Sequence, residues 1–523
     1  MGRIIQEKVL IFLNLFLVRI EDINLYKYMQ NSLIKNQSQN SLILLLIILA
    51  IVLRIYNINS PIIGIHSWRQ SDTAAIARNF YENDFNFFYP QIDWGGNSPG
   101  YCETEFPIYS FIIALIYKLF GVSEFWGRLT SIIYFLIALY FLYQLVIKIL
   151  NKKVAFWSGL FFVILPLNIY YSRTFQPESM LLMCSIISIY YFINWLDSEK
   201  WQELILSGIF VGLACLIKVL PIIYLGIPIF YLAWTKFGIK VFLQISLWIY
   251  SILILASVFI WYYHAHQLFL EYGNTFGFWS GSTNRYNYNI VLTLHFWTEI
   301  LFRTSVRHFA IFGFVIFLLG LLVPRKTRQE YVLDIWLISV ILTWIVVPVT
   351  SLVHEYYQLQ FMLPGVIFMG KACNQYLDKT ANQTNYRKAI ILCLCLTLAA
   401  SCTIYTIDYM FKERINKSAV FQLAQQVKQN TESESLIIAT TGSDPTLLYL
   451  SHRKGWLINH SDVSDKYILS IANLGAKYLV GSLNFVESYN FFVNDEQKQK
   501  VHNFLNQHPN LLKDSTNFIV KLP

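Results

Sequence analysis

Long apolar runs recur between residues 41 and 408, and short polar segments separate them. A membrane-spanning helix needs roughly 17–25 mostly apolar residues. Eleven runs approach or reach that length, at residues 41–58, 129–147, 154–172, 179–196, 204–217, 219–235, 241–263, 309–324, 335–353, 356–370 and 389–407. The pattern therefore predicts an α-helical polytopic membrane protein with about eleven spans.

Residues 409–523 follow a different pattern, because they are polar and charged and contain no run long enough to span a membrane. Short apolar segments predict strands and mixed segments predict helices. The strands are expected at 436–440, 477–480 and 518–522, and the helices at 444–450 and 464–474. We interpret this part of the chain as a small soluble α/β domain.

The chain thus divides into three parts. Residues 41–408 form the membrane domain and residues 409–523 the soluble domain. Residues 1–40 form an N-terminal segment whose 10-residue apolar run, at 9–18, is too short to span and predicts an interfacial helix.

The composition agrees with a membrane protein. Hydrophobic residues make up 55% of the chain and charged residues only 14%, whereas about 25% of residues are charged in globular proteins. The net charge of +9 is distributed over the loops, so the sequence does not indicate nucleic-acid binding, which needs a clustered basic face. The seven cysteines form no CxxC pair, and we predict no disulfide framework.

The topology depends on the apolar segment at 106–117. If it does not span and the N-terminus is cytoplasmic, thirteen basic residues fall in short cytoplasmic loops: Lys148, Lys152, Lys153, Lys200, Lys236, Lys240, Arg325, Lys326, Arg328, Lys371, Lys379, Arg387 and Lys388. Five fall in the later outer segments: Arg173, Lys218, Arg285, Arg303 and Arg307. Because cytoplasmic loops carry the excess of Lys and Arg, we predict that 106–117 is a juxtamembrane helix in the outer interface. The C-terminal domain is then extracytoplasmic.

One polar loop, at residues 66–107, is too long to be a simple connection between helices. Within it Asp72 begins a segment of helical spacing, for which Ser71 is the predicted N-cap. We predict that Asp72 is a catalytic carboxylate. The alternative is a charge that complements the dipole at a helix start. Arg69 and Arg78 flank Asp72 and could meet a phosphate.

Two further carboxylates lie on the predicted outer face. Glu105 precedes Phe106-Pro107, where it could position an acceptor, bind a metal or orient the base, or could equally be a helix-start charge. Glu178 follows Pro177 in the segment SRTFQPE, and a place in the first helical turn is a complete structural account of it. An Arg and a Glu at membrane depth nevertheless usually pair or face a cavity, which applies to Arg173 and Glu178.

Cationic and aromatic residues complete the predicted outer face. Lys218 lies between two apolar runs, where a Lys more often extends to the headgroups than catalyses, although a lipid phosphate would lie at that depth. The segment HEYYQL supplies His354, Glu355, Tyr356 and Tyr357, of which the tyrosines are by default interfacial aromatic residues.

Together these motifs resemble the GT-C glycosyltransferases. The long first loop with Asp72, ETEFP at 103–107, GRLTS at 127–131, SRTFQPE at 172–178, Lys218 and HEYYQL at 354–359 occur in a characteristic order and on one predicted face. The resemblance covers about residues 41–408, and it is closest to the branch of bacterial aminoarabinose transferases and protein O-mannosyltransferases.

The resemblance implies a bundle of many spans with juxtamembrane helices over the site, and a donor sugar carried on polyprenyl phosphate. It implies that Asp72 is the essential carboxylate, with Glu178 and Glu105 as the matching acidic residues. The chain departs from many relatives at Thr73, where they have Glu, and from the aminoarabinose transferases at Phe106, where a Lys meets the lipid phosphate. Phosphate binding would then fall to other cations: Arg69, Arg78, Arg173 or Lys218. The departure puts aminoarabinose and lipid A in doubt as substrates.

We therefore expect a glycosyltransferase of a bacterial-type cytoplasmic membrane, with its active site on the outer face. Asp72 accepts the proton of an acceptor hydroxyl as general base, and the acceptor is a lipid, a glycan or a protein. No cofactor is required, and a divalent metal is left open. Two other functions are also left open. A transporter or flippase of lipid-linked glycans would tend to show inverted repeats, and a ligase would differ only in the size of its donor.

Overall fold

The computed structural model describes residues 39–277, 287–377, 384–415, 418–484, 495–513 and 516–523. The chain forms two compact units, Met1–Leu49 and Ala50–Pro523. The interfacial helix predicted at residues 9–18 lies outside the described residues. The soluble domain predicted at 409–523 is part of the larger unit.

Helices make up most of the described residues up to Ile404. In chain order they are α1 (Gln39–Arg54), α2 (Ser67–Glu82), α3 (Ile108–Phe120), α4 (Glu124–Ile149), α5 (Lys152–Ile164), α6 (Pro166–Tyr171), α7 (Glu178–Ser198), α8 (Trp201–Ile217), α9 (Pro221–Tyr224), α10 (Gly226–Phe237), α11 (Ile245–Tyr272), α12 (Leu294–Phe302), α13 (Phe312–Leu322), α14 (Val332–Val346), α15 (Pro348–Val353), α16 (Met362–Leu377) and α17 (Thr384–Ile404). Short 3-10 or π-helical turns extend or join several of them, at Gly238–Leu243, Tyr288–Leu292, Arg303–His308, Gln329–Tyr331, Glu355–Phe361, Tyr405–Tyr409 and Met410–Glu413. Each of the eleven apolar runs lies mainly on these helices.

The protein is an integral membrane protein. Among the described residues, six helical segments are long and apolar enough to cross a membrane. The number is seven if two helices that meet at a bend of 102° are counted as one span. That pair joins Leu294–His308 to Phe312–Leu322. Three shorter apolar helices accompany them: Ser41–Arg54, Ile108–Phe120 and Trp201–Ile217. The predicted number of about eleven spans is not confirmed.

Proline residues interrupt two of the predicted spans. In the run at 154–172, helix α5 ends at Ile164 and α6 begins at Pro166. In the run at 335–353, helix α14 ends at Val346 and α15 begins at Pro348. Proline lacks the backbone N–H and clashes with the carbonyl four residues earlier, so it ends one helix and begins the next. The second interruption leads directly to His354 and Glu355.

The helix at the predicted interface begins two residues later than expected. It follows Pro107 and covers Ile108–Phe120, which is 13 residues and shorter than a span needs. Tyr109, Ile113 and Tyr117 are buried on one face, whereas Leu119 is 76% exposed. This arrangement agrees with a helix that lies along a membrane surface.

The bundle has two chemically different ends. At one end Lys148 of α4 pairs with Asp197 of α7 at 2.7 Å, and Lys236 of α10 pairs with Glu199 at 2.7 Å. At the other end of α4, Glu124 accepts a hydrogen bond from Tyr449 of the C-terminal part at 3.2 Å. A helix rises 1.5 Å per residue, so Lys148 lies about 36 Å from Glu124 along α4. The assignment of the basic end to the cytoplasm stays a prediction from charge bias.

Among its described residues, the C-terminal part contains a five-stranded sheet of order β2-β1-β3-β5-β4. Its strands are β1 (Leu436–Ala439), β2 (Gly455–Leu457), β3 (Ala476–Ser482), β4 (Asn510–Lys513) and β5 (Asn517–Lys521), and its helices are α18 (Ala419–Asn430), α19 (Thr446–Ser451), α20 (Asp465–Ala472) and α21 (Asp495–Gln507). Strands β2, β1 and β3 are parallel, and β5 and β4 are antiparallel to their neighbours.

The predicted strands coincide with β1, β3 and β5, and the predicted helices overlap α19 and α20. The sequence did not predict β2, β4, α18 or α21. Strand β2 has only three residues, and β4 has four residues none of which is fully buried, so neither gives the apolar run that marks the equally short β1.

Candidate active site

Asp72 lies in the second turn of α2. The helix begins at Ser67, after His66 adopts a left-handed φ of 52°. The backbone carbonyl of His66 accepts from the N–H groups of Arg69 and Gln70, so the predicted N-cap at Ser71 is wrong. The stabilisation of charges by the helix dipole falls off within the first turn. The alternative account of Asp72, as a charge at a helix start, therefore loses its basis.

The carboxylate of Asp72 is buried and hydrogen-bonded. Asp72 is only 4% exposed. Its Oδ1 accepts a hydrogen bond from the indole N–H of Trp94 at 2.9 Å. Burial raises the pKa of Asp72 to about 7, although the Trp94 hydrogen bond and the charge of Arg69 act in the opposite direction. A carboxylate with a pKa near neutral pH is well matched to accepting a proton and releasing it again.

Glu105 lies beside the same helix. Its carboxylate forms an ion pair with Arg69, three residues before Asp72. The Arg69 guanidinium also lies 5.2 Å from the centroid of the Phe276 ring. The structure thus brings two of the predicted site residues, Glu105 and Arg69, to the neighbourhood of Asp72.

Glu178 and Lys218 form a second ion pair. The Lys218 Nζ lies 2.7 Å from Glu178 Oε1, and the two side chains are 7% and 1% exposed. The same Nζ lies 4.7 Å from the ring centroid of Tyr356 and 4.5 Å from that of Tyr357. Lys218 therefore does not extend to the surface, and the buried Tyr356 is not an interfacial belt residue.

An aromatic wall joins α2 to the turn after α15. The His66 ring lies 5.2 Å from Tyr356 and 5.7 Å from His354, and the His354 ring lies 5.4 Å from Trp68. Burial lowers the pKa of His66 to about 4, so its imidazole is neutral at physiological pH. The wall connects the Asp72 helix to the residues around Lys218.

Glu355 is held by three donors. Its carboxylate accepts hydrogen bonds from the hydroxyls of Tyr171, at 3.0 Å, and Tyr409, at 3.2 Å, and pairs with Arg307. These contacts link α6, the turn at Arg303–His308 and the end of the α17 segment. A role in substrate binding stays a prediction for Glu355.

Two of the predicted phosphate ligands have protein partners that account for their charge. Arg78 pairs with Asp93 and donates to the Tyr449 carbonyl at 3.1 Å. Arg173 pairs with Glu413 at 2.9 Å and donates to the Tyr56 carbonyl at 2.7 Å. Arg69 and Lys218 are also paired, but their carboxylate partners, Glu105 and Glu178, are themselves predicted site residues. Buried charges need such partners, and Arg78 and Arg173 use additional donors on backbone carbonyls.

The C-terminal part reaches the Asp72 helix directly. Thr446 forms hydroxyl hydrogen bonds with Ser67 at 3.2 Å and with Ser71 at 3.4 Å. The charge of the nearby Asp444 contributes to the raised pKa of Asp72. The sequence did not single out Trp94, Asp93 or Asp444, and no local pattern relates residue 446 to residue 71.

In the described part of the chain, the side chains that could bind a metal ion do not form a cluster. There, no set of three or more His, Cys, Asp or Glu side chains is arranged to hold one ion.

Known proteins match this chain in both sequence and fold. Residues 103–264 match the family described as dolichyl-phosphate-mannose-protein mannosyltransferase. The crystal structure of ArnT from Cupriavidus metallidurans in the apo state has a TM-score of 0.66 and 12% identity, and the match covers 92% of this chain and 98% of that one. The chain therefore has the fold of this structure. The resemblance drawn from its sequence motifs is confirmed.

Two further structures carry ligands. ArnT from Cupriavidus metallidurans bound to undecaprenyl phosphate has a TM-score of 0.66 and 13% identity, with 91% of this chain and 97% of that chain covered. The archaeal oligosaccharyltransferase AglB from Archaeoglobus fulgidus, in complex with an inhibitory peptide and a dolichol-phosphate, has a TM-score of 0.57 and 12% identity, with 85% and 69% covered. No curated protein matches the sequence.

Proposed function

We propose that this protein transfers a sugar from a polyprenyl-phosphate donor to the hydroxyl group of a lipid, glycan or protein acceptor on the extracytoplasmic face. One observation carries the proposal. Asp72 is a buried carboxylate with a pKa near neutral, and it lies in the helix that also carries Arg69, at the end of the bundle opposite Lys148. The family match, and the lipid phosphates held by two proteins of the same fold, support the class of donor.

The mechanism is a single displacement at the anomeric carbon. Asp72 takes the proton of the acceptor hydroxyl while the acceptor oxygen forms a bond to the anomeric carbon. The bond between that carbon and the phosphate oxygen breaks, and polyprenyl phosphate leaves with the electron pair. Arg69 and Lys218 stabilise the charge of the leaving phosphate. One displacement inverts the anomeric configuration.

An apolar groove supports a donor with a hydrocarbon chain. It lies between α8 and α11, has a volume of about 350 Å³, and is lined by Leu204, Gly208, Gly212, Leu216, Ile249 and Leu253, among others. At its end, the Leu216 carbonyl accepts hydrogen bonds from the Phe106 N–H and the Tyr262 hydroxyl, both at 3.2 Å. Glu105 is the residue next to Phe106, and it pairs with Arg69. A lipid chain in the groove would therefore bring its phosphate towards Arg69.

The test is consumption of a lipid-linked sugar by the purified protein in vesicles. Radiolabelled polyprenyl-phosphate sugars are supplied with a membrane extract as the source of acceptor, and free polyprenyl phosphate and labelled product are measured together. We expect both to form with the native protein and neither to form with Asp72→Asn. Passage of intact donor across the bilayer without its consumption would instead support a transporter, and inertness towards every donor would refute the transfer reaction.

A further inference from the structure

The C-terminal sheet meets the first polar loop at its edge strand, β2. Gly455 in β2 exchanges two backbone hydrogen bonds with that loop: its N–H donates to the Asp93 carbonyl at 3.0 Å, and its carbonyl accepts from the Gly96 N–H at 2.8 Å. This reciprocal pair joins residues 93–96 of the loop to the edge of the sheet. An edge strand offers unpaired backbone groups, and here the loop satisfies them.

Two close approaches fix the loop against the strand. Gly96 has a φ of 65°, and a β-carbon at that position would lie 2.6 Å from Cε2 of Trp456. A β-carbon at Gly455 would collide with the Ile437 backbone of β1. Neither glycine can gain a side chain without moving its neighbour. We call this contact of residues 93–96 with Gly455 and Trp456 the latch.

The latch holds the residue that contacts Asp72. Trp94 lies in the middle of the latched segment, and its indole N–H donates to Asp72 Oδ1 at 2.9 Å. On its other side the indole stacks near Phe276, at 6.4 Å between ring centroids. Asp93, the residue before it, pairs with Arg78 of α2. The segment is therefore bound both to the Asp72 helix and to the C-terminal sheet.

We propose that Trp94 is a positioning residue for the general base, and that the C-terminal domain, through the latch, holds its indole N–H on Asp72 Oδ1 so that Oδ2 receives the proton of the acceptor. The inference rests on the proposed transfer reaction. It gives the C-terminal domain a direct part in the chemistry of the membrane domain.

The hydrogen bond from Trp94 acts on the pKa of Asp72 together with the charges around that carboxylate. Arg69 on the same helix favours the ionised carboxylate, whereas Asp93 of the loop and Asp444 of the C-terminal part disfavour it. Cys102, later in the same loop, lies close enough to Asp72 for their charges to interact, and burial raises the pKa of its thiol well above the usual range. The Trp94 hydrogen bond favours the ionised form and lowers the pKa of Asp72, so its loss would leave the base more fully protonated at neutral pH.

The principal test is the pH profile of single-turnover transfer by Trp94→Phe. This variant keeps a ring in place but removes the N–H donor. We expect the acid limb of the profile to move to higher pH by about 1 unit, the equivalent of one hydrogen bond to a charged group. The donor KM should stay unchanged, and the rate should recover at alkaline pH. Trp234→Phe, at a side chain 41% exposed on α10, is the matched control and should leave the profile unchanged.

The latch is tested by Gly96→Ala and by the double variant with Trp94→Phe. Because Ala at 96 displaces Trp456 or the loop, the single variant should show the same alkaline shift. The double variant should shift no further than Trp94→Phe alone, since residues that act through one contact are not additive. A rate that falls equally at every pH, in either single variant, would show a merely structural role and overturn the proposal.

A second measurement does not depend on turnover. The tryptophan emission that is lost in Trp94→Phe should titrate with pH in the native protein near neutral pH and should not titrate in Asp72→Asn. A titration without any transfer would leave the Trp94–Asp72 contact standing and refute only the proposed reaction. Transfer without such a titration, or with an unshifted profile in Trp94→Phe, would refute the positioning role and leave the reaction standing.

Discussion

Lys218 and Glu178 form an ion pair at 2.7 Å although they are 40 residues apart in the chain. Glu178 is the first residue of α7, and Lys218 directly follows α8, so the pair ties together the ends of two neighbouring membrane helices. Both side chains are buried, and the two tyrosine rings beside Lys218 restrict its direction. The pair can therefore act on stability, on donor binding, or on both.

A double variant separates these effects. Lys218→Gln alone leaves Glu178 buried without its partner and should cost about 3–5 kcal/mol of stability. Lys218→Gln combined with Glu178→Gln should recover most of that loss while the KM for the lipid-linked donor stays raised, because the cation that meets the phosphate is still absent. Thermal unfolding in detergent and donor titration measure the two quantities. A double variant with a native KM would remove Lys218 from phosphate binding.

Asp72→Asn should leave the protein folded and able to bind donor, because the amide has the shape of the carboxylate. It should lower transfer by at least about 10²–10⁴-fold, the usual contribution of a general base. Asp84→Asn, at an exposed carboxylate of the same loop, is the control and should retain native turnover. Single-turnover transfer normalised to folded protein is the measurement. Near-native transfer by Asp72→Asn would leave Glu105 and Glu178 as the candidate bases.

The raised pKa of Asp72 predicts how transfer depends on pH. A general base works only when it is unprotonated, and burial raises the pKa of Asp72 to about 7. The transfer rate should therefore rise about tenfold per pH unit below that value and level off above it. The profile is measured in single turnover over the range in which the protein stays folded. A rate independent of pH between about 5 and 8 would contradict an essential base with this pKa.

Arg173→Gln is expected to act on stability. The change removes the closer of two arginine partners of the buried Glu413, at 2.9 Å, and leaves Arg128 at 3.5 Å. It should therefore cost no more than the about 3–5 kcal/mol of a broken buried pair. Donor KM in the folded fraction should stay close to native. Lys388→Gln, at an exposed position of α17, controls for the loss of a positive charge. A raised donor KM with native stability would restore Arg173 as a phosphate ligand.

Reporter fusions test the orientation of the bundle. A reporter after Lys153 should signal the cytoplasm, since the basic residues near that position favour the cytoplasmic face. A reporter after Lys412 should signal the outside, where the C-terminal domain is expected. Opposite signals at the two positions would place Asp72 on the cytoplasmic face and remove the proposed extracytoplasmic reaction.

The sequence by itself determined the class of protein and marked candidate residues for the site. Apolar runs follow from the requirement that a span bury its backbone in hydrocarbon, so the membrane helices could be located even though Pro166 and Pro348 divide two of them. The order of the motifs along the chain was enough to show the resemblance, which marked Asp72, Glu105 and Glu178. The short strand β2 carried no such signal, and neither did the true start of α2 at Ser67, which depends on the left-handed turn at His66.

Tertiary structure alone decided which charges pair. Arg173 meets Glu413 across 240 positions, and Arg78 meets Tyr449 across 371, so neither partnership leaves a periodic or local pattern in the sequence. The same holds for Trp94, which contacts Asp72 and whose segment is joined by backbone bonds to Gly455, more than 300 residues further along the chain. A buried charge is stabilised by whichever partner the folded chain brings within a few ångströms, and that choice is made by packing.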